Sequence, residues 1–548
     1  MPVIARDIMS APVRTLRPEQ SLAEARDQLT RHGHGAMPVV ESSSGQLVGI
    51  ISRRDLDVAL HHGFAAAPVR NFMTATVLSV GPAAPLAEIE QLMVIYDIGR
   101  VPVVVEGKPI GIITRTDLIR QHYQERTSSL PLFRSVDERL ERQLSPRARE
   151  ALLQVSKSAD ALGLVAYLVG GAVRDLLLDR TSEDLDVVVE GRTGEAGVAV
   201  QLARRIAEED ITVRFEAFEK YQTASLSWPD GFVLDLATAR TEFYPRPGAN
   251  PEVESASIRL DLYRRDFTIN ALAICLNGPR AWQLIDFFGG AIDLSNRLVR
   301  VLHPNSFIED PTRIFRAVRF ALKLGFTIAP QTETFIVRSV SGGLHDLYGG
   351  ERLRTELLYL LAAPFWLEAL LCLDRLQALR CIHPQLHLDN RLRSGLEWLS
   401  GISLPLKVPA AQLRLERLLL AVGPEAAWKL PLDGAARQRI EKVRSLCPEL
   451  PRWADRSAPA LHRQLADWSP EAVLLLASLE EEPQREHLLL YLGLREQPRL
   501  LNGKDLKELG FKAGPTFRAI LEAAFAAQLA GTLQTREEAI DWVRERYL

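Results

Sequence analysis

A long internal repeat constrains this chain more than any other feature. Met37-Pro38-Val39-Val40 returns as Val101-Pro102-Val103-Val104, and Gly49-Ile50-Ile51-Ser52-Arg53-Arg54-Asp55 returns as Gly111-Ile112-Ile113-Thr114-Arg115-Thr116-Asp117. Asp7-Ile8-Met9 answers Asn71-Phe72-Met73. The period is about 63 residues, long enough for a whole supersecondary unit rather than a single hairpin. Each copy reads as a short apolar strand, an amphipathic helix, two strands and a closing helix.

Over Met1–Tyr123 this pattern resembles a tandem pair of CBS domains, at 1–62 and 69–123. The resemblance implies one pseudo-symmetric module that takes AMP or ATP, with Ser52/Asp55 and Thr114/Asp117 meeting the ribose. The chemistry fits, because a carboxylate accepts hydrogen bonds from ribose hydroxyls. Ser-x-x-Asp at a strand-to-helix junction is also a helix-capping arrangement. A purely structural or dimerising role is therefore the competing expectation, and association of CBS pairs implies a homodimer. His32 and His34, beside a glycine turn, read as solvated and receive no role. The chain opens directly on the first repeat, which leaves open an upstream domain in a longer protein.

At 548 residues the chain has room for about three or four domains. Its 47% hydrophobic and 25% charged residues are ordinary for a soluble globular protein that needs no disulfide or metal staple. The four cysteines, Cys275, Cys372, Cys381 and Cys447, form no CxxC pair, which argues against a zinc site or disulfide framework. The N-terminus lacks the basic-then-apolar pattern of a secretory signal. No apolar run reaches the roughly 18 residues of a membrane span, so a cytoplasmic protein with reduced thiols and no membrane partner is expected. A net charge of −3 does not announce a nucleic-acid binder, so any RNA contact must come from local basic patches.

The chemistry concentrates after Leu162. Tyr167-Leu168-Val169 reads as a buried strand, broken by Gly170-Gly171 and followed by a helix over Ala172–Leu178 that carries Arg174 and Asp175. Two glycines there allow close approach of a phosphate, and the first turn adds N–H groups and a cation. Alone, such a turn is more often only a turn. Glu183-Asp184-Leu185-Asp186 then runs into Val187-Val188-Val189. Positions i and i+2 of a strand share a face, so Asp184 and Asp186 converge. Adjacent carboxylates repel unless a cation lies between them, and Mg²⁺ suits a hard-oxygen site shared with substrate phosphates. A solvated strand edge is the bland alternative, and the apolar flanks oppose it. Phe232-Val233-Leu234-Asp235-Leu236 supplies a third carboxylate in an apolar setting, where a lone buried Asp is costly without a partner.

These blocks resemble the class II tRNA nucleotidyltransferase and bacterial poly(A) polymerase family. Leu168-Val169-Gly170-Gly171-Ala172-Val173-Arg174-Asp175 with Asp184-Leu185-Asp186 is similar to its first motif. Arg264-Arg265-Asp266-Phe267-Thr268-Ile269-Asn270-Ala271 resembles the second, and Asp286-Phe287-Phe288-Gly289-Gly290 the third. Glu309-Asp310-Pro311-Thr312-Arg313 with Arg316-Ala317-Val318-Arg319-Phe320 resembles the fourth, and Glu351-Arg352-Leu353 to Glu356-Leu357 the fifth. The resemblance spans about Leu162–Leu360. It implies metal ligation by Asp184 and Asp186 with Asp235 as third acid. It also implies nucleotide contacts from Gly170, Gly171, Arg174, Arg265, Asp310, Arg313, Arg316 and Arg319.

Asp310 and Arg313 share a helix face, one accepting only and the other donating only. Cytosine and adenine offer an amino donor beside a ring acceptor and match such an edge, whereas uracil and guanine present the reverse. The competing reading of Asp310-Pro311 is a helix cap followed by a first-turn proline. Arg316 and Arg319 could equally be a solvated helix face, with Phe315, Val318 and Leu322 packing inward.

After Leu302 the chain reads as helical to its end. The expected fold is α+β and multidomain: a mixed α/β CBS pair, a linker over 124–149 that turns partly helical from Val136, a small mixed-sheet, polymerase-β-like head over 150–300, and an all-α neck (301–360), body (361–470) and tail (471–548). The resemblance implies that this helical part cradles the acceptor arm of tRNA. Arg495, Arg499, Lys504, Lys507, Lys512 and Arg518 give the tail a basic bias suited to phosphates. An ordinary helical hairpin with surface lysines is the alternative.

The expected activity is template-independent addition of CMP and/or AMP from CTP and ATP to tRNA. Poly(A) polymerases typically carry a basic G-R-[RK]-F-R-x-x-H run that Val213–Lys220 lacks. CC-only members tend to have a shortened segment where this chain has the 28 residues from Leu236 to Tyr263, which favours an A-capable enzyme. A poly(A) polymerase-type adenylyltransferase and a non-catalytic, adenylate-sensing RNA-binding protein are the alternatives.

Overall fold

The computed structural model describes residues 3–61, 63–96, 98–118, 121, 136–182, 184–191, 195–243, 252–304, 306–341, 350–423, 430–446, 457–512 and 514–548. Tyr123, Glu183, Cys447, residues 124–135 of the expected linker and residues 244–251 of the segment before the second motif lie outside the described residues. The chain divides into two compact units. One comprises Met1–Arg313 with Leu324–Phe335, the other Ile314–Lys323 with Ile336–Leu548.

In the first unit the repeats fold as two matching halves. Ala36–Val40 pairs antiparallel with Leu47–Ser52, and Arg100–Val105 with Lys108–Thr114. Both hairpins shift register at the same point, between Val39/Val40 and Val103/Val104. The segments that lead into the helices Leu22–Arg31 and Leu86–Ile95 are exchanged between halves: Ser10 bridges Ile112, and Thr74 bridges Ile50. A Cβ at Gly49 would strike Met73, and one at Gly111 would strike Met9. The two repeated glycines are thus seats for the two repeated methionines. Ala5 and Ile8 accordingly belong to the core of the second half, with Val101, Val103 and Ile113.

The head is a seven-stranded mixed sheet. Its strands lie in the order Leu284–Asp286, Leu272–Cys275, Val165–Val169, Asp186–Glu190, Val233–Thr238, Thr223–Ser227 and Arg214–Phe218. Val187, Val188 and Val189 are all buried, as expected of β-branched residues in the middle of a sheet. Asp186–Glu190 and Val233–Thr238 run parallel, joined by a crossover that includes the amphipathic helix Val198–Glu209. Residues 136–149, read from sequence within a linker, are largely helical (Val136–Gln143, then the start of Pro146–Leu162). Arg139 reaches the carbonyl of Leu177 at 3.0 Å and Asp179 at 2.9 Å, which seats this stretch on the head.

The first unit also takes more of the neck than the sequence suggested. Leu298–Val299 pairs parallel with Thr327–Ile328, a short strand in a region read as wholly helical. The described remainder of the second unit is helical, with one core around Leu399, Leu474 and Tyr491 and another in the tail around Leu506, Ile520 and Val543. Among the described residues no helix is long and apolar enough to cross a membrane.

Candidate active site

The site forms where the first glycine turn meets the acidic strand. Val169 pairs with Asp186, Asp186 with Asp235, and Asp235 with Ser225, so one row across the sheet carries two carboxylates side by side. Residues paired in register point to the same face. Asp186 and Asp235 are both exposed, while their neighbours Val187, Leu234 and Leu236 are buried. Asp235 is therefore not the buried lone acid that its apolar flanks suggested. Its neighbours turn into the core and its carboxylate opens onto a shared cleft. Asp184 precedes the strand, which begins at Asp186, and is exposed.

Crowding raises the Asp186 carboxyl above its ordinary range. Burial of its surroundings is the main cause, Arg265 opposes it, and the charges of Asp184, Asp235 and Asp261 add to it. The carboxylate rim touches solvent, yet walls rise around it. Asp186 and Asp235 line a cavity of about 330 Å³ whose other walls include Phe218, Thr223, Arg264 and Arg265. Among the described residues no group of three or more acidic, histidine or cysteine side chains makes a complete metal cage. An incomplete set of hard oxygens suits a cation that shares its shell with water and phosphates.

Gly170 carries the turn. Its φ of +71° and ψ of −129° lie where only glycine is comfortable, and an added Cβ would come within 2.8 Å of the Arg265 guanidinium. Gly171 opens the helix Gly171–Leu177. Arg174, on the next turn, is buried beneath the site. It donates to Asp175 at 2.8 Å and to Asn270 Oδ1 at 2.7 Å, and Asn270 in turn donates to Asp266 at 2.9 Å. This guanidinium ties the first motif to the second.

The third motif is a scaffold. Asp286 accepts from the N–H groups of Phe288, Gly290 and Ala291 at 3.1, 2.9 and 3.0 Å and so starts the helix Gly290–Ser295. Burial raises its carboxyl against those backbone bonds. Gly290 lies against the Thr268 carbonyl, where any Cβ would collide, and Thr268 donates to Asp293 at 2.7 Å.

Two residues with no assigned role stand out. Asp261 is fully buried and accepts from Arg264 at 2.8 Å, from Arg265 at 3.1 Å and from the Arg240 N–H at 3.3 Å. Burial would push its carboxyl up, but Arg264 and Arg265 hold it below the ordinary carboxylate range. Its spacing of three and four before two arginines on a helix was the available signal. In the second unit Glu356, from the fifth motif, receives both Arg316 (3.1 Å) and Arg319 (3.1 Å).

Asp310 and Arg313 are both buried. Asp310 accepts from the Thr312 N–H at 3.1 Å, the capping geometry that its sequence also predicted. Arg313 donates to Ser306 Oγ at 2.8 Å and to the Arg264 carbonyl at 2.7 Å, which joins the fourth motif to the second.

In the CBS pair, Ser52 and Thr114 donate to Asp55 and Asp117 at 2.6 and 2.8 Å. Asp55 is exposed, whereas Asp117 is buried against Arg259 of the head. His34 and His32 are stacked at 5.9 Å and partly buried rather than solvated, and burial pushes His34 down to about 4. In the tail, Lys504, Lys507, Lys512 and Arg518 are exposed, while Arg499 pairs with Glu522 at 3.0 Å.

Residues 166–300 match the family described as the poly A polymerase head domain, and residues 5–62 and 69–122 each match the CBS domain. The chain is 35% identical to an A-adding tRNA nucleotidyltransferase of Geobacter sulfurreducens, over 97% of this chain and 63% of that protein, so it spans less than two thirds of that relative. It is 32% identical to an A-adding tRNA nucleotidyltransferase of Halalkalibacterium halodurans, over 72% of this chain and 92% of the relative. Among solved structures it resembles a Thermotoga maritima CCA-adding enzyme complexed with tRNA, with a TM-score of 0.63, 28% identity, and 75% of this chain and 98% of that one covered.

Proposed function

Because this chain belongs to the tRNA nucleotidyltransferase family, we propose that it adds AMP to the 3′ end of tRNA without a template. The observation that carries this reading is the in-register pair of Asp186 and Asp235, open to one cleft beside Arg265 and the Gly170 turn. Relatives that add A support AMP over CMP as the nucleotide added, and so does the unshortened segment before the second motif.

Asp184 and Asp186 would hold a divalent cation, for which Mg²⁺ is the hard-oxygen choice, and Asp235 would be the third acid. When bound, such a cation acidifies the attacking 3′-hydroxyl and neutralises charge on the triphosphate. Arg264 and Arg265, aimed by Asp261, bind and orient the incoming nucleotide. Gly170 and Gly171 leave space for its phosphates, and Arg174 holds that turn from below. Asp310 accepts from the adenine amino group and Arg313 donates to N1. GTP and UTP present the reverse pattern, a carbonyl toward Asp310 and a ring N–H toward Arg313, which sets acceptor against acceptor and donor against donor and costs binding. Arg316 and Arg319 carry a nucleotide-binding role from the family resemblance, with Glu356 holding both.

The tail, through Lys504, Lys507, Lys512 and Arg518, is assigned to the tRNA backbone, in the cytoplasm. The CBS pair is assigned AMP or ATP at the half that carries Asp55, and a homodimer contact. Incubation with tRNAs ending before CCA, at C and at CC, with each NTP, tests the reading. AMP incorporation on the CC-ending tRNA is expected. Incorporation of CMP instead would move the enzyme to the CC-adding class, and incorporation of neither would sink the proposal.

A further inference from the structure

The six-residue helix Ile258–Tyr263 faces two ways. Residues two apart on a helix point to nearly opposite sides. On one side Asp261 clamps Arg264 and Arg265 toward the cleft of Asp186 and Asp235. On the other side Arg259, also buried, leaves the head and enters the second CBS half. There its guanidinium meets the Asp117 carboxylate and the Ile8 carbonyl, with its plane near the Phe287 ring at 5.5 Å. Asp117 is itself fixed by the Thr114 hydroxyl and N–H, both at 2.8 Å.

The same seam is tied at three further points. The Ser257 N–H donates to the Ala11 carbonyl at 3.0 Å, Arg280 pairs with Asp7 at 2.7 Å, and Arg14 pairs with Glu254. Ser257 immediately precedes the helix, so the helix is held at its start as well as along its side. A guanidinium cannot shed its charge. If Asp117 withdraws, Arg259 must find water, and the short helix must move with it.

We propose that Arg259 is a positioning residue for nucleotide binding: anchored on Asp117, it fixes the helix whose Asp261 aims Arg264 and Arg265. The CBS pair is then a brace for the nucleotide site, and its two halves are not equivalent. Asp55 faces solvent, whereas Asp117 is committed to the seam. This inference rests on the nucleotidyltransferase reading above.

The test uses the full chain with Asp117→Asn and Arg259→Lys, the second of which keeps the charge. For AMP addition to CC-ending tRNA, Asp117→Asn is expected to raise KM for ATP about tenfold while kcat changes less than about threefold. Arg259→Lys, which keeps the charge facing Asp117, is expected to raise KM for ATP less than Asp117→Asn does. A seam that only stabilised the fold would not split KM from kcat. Amide exchange of residues 258–265 is expected to quicken in Asp117→Asn while that of residues 36–61 stays unchanged. KM and exchange both equal to wild type in the two variants would overturn the brace. If the wild type incorporates no nucleotide, the activity reading fails, and the exchange measurement alone then decides the brace.

Discussion

Asp186 and Asp235 are neighbours across a parallel strand pair, nearly fifty residues apart in sequence and opposite each other in register. Parallel register puts both carboxylates on one face, beside a turn whose glycine cannot be replaced without displacing an arginine. This places a negative pair in one cleft with the guanidinium groups of Arg264 and Arg265.

Replacing either acid by its isosteric amide removes charge and keeps shape. Asp186→Asn and Asp235→Asn are each expected to slow AMP incorporation at least about a hundredfold. Single-turnover rates on CC-ending tRNA measure this, with tRNA binding as the control that should not change. Chelation of divalent cations should abolish incorporation in the wild type, and Mg²⁺ should restore it.

Gly170→Ala forces a left-handed backbone on a residue with a Cβ and pushes that atom into Arg265. The expected stability cost is about 1–3 kcal/mol. Activity should fall further than stability explains, because the displaced group lies in the cleft. Denaturant midpoints measured beside KM for ATP separate the two effects.

Asp310→Ala removes the acceptor proposed for the adenine amino group. Discrimination of ATP against GTP and UTP should fall by about a hundredfold or more. Competition between labelled nucleotides reads it directly, and unchanged selectivity would remove Asp310 from base recognition.

His303 is half-buried against the Tyr263 ring at 5.1 Å, and burial, with the Arg313 charge, pushes it down to about 4. The unfolded chain takes up a proton near pH 6.5 that the folded one refuses. Stability linked to this residue is therefore full above 6.5 and is lost as pH falls toward 4, by up to about 3 kcal/mol. His303→Phe should flatten the pH dependence of the unfolding midpoint over that window, and an equally steep profile would count against the assignment.

Titration of AMP into the full chain is expected to give heat in the wild type and in Asp186→Asn, and none in Asp55→Ala. Heat lost in Asp186→Asn but kept in Asp55→Ala would place the adenylate in the head. No heat with the wild type would refute an adenylate site in the CBS pair.

Much of this site was legible in the sequence because its signals are local. The repeat, the Gly170-Gly171 break, the Asp184/Asp186 spacing and the Asp310-Pro311 cap each depend on residues a few positions apart. What those signals could not convey was company. Asp235 looked like a buried lone acid because its neighbours are leucines, yet strand alternation turns them inward and it outward. Arg174 looked like a ligand contact, and the fold uses its guanidinium to join Asp175 and Asn270. Asp117 matched Asp55 letter for letter, and only the docked head distinguishes them.

The sequence by itself determined the units, their order and the residue types that chemistry requires, since periodicity, turns and caps are written within a few residues. The tertiary structure alone decided which acids share a row, which arginines Asp261 pairs with, and that Arg259 of the head meets Asp117 of the second CBS half. Those outcomes depend on strand register and on a seam between segments more than a hundred residues apart, and no local rule reaches across that distance.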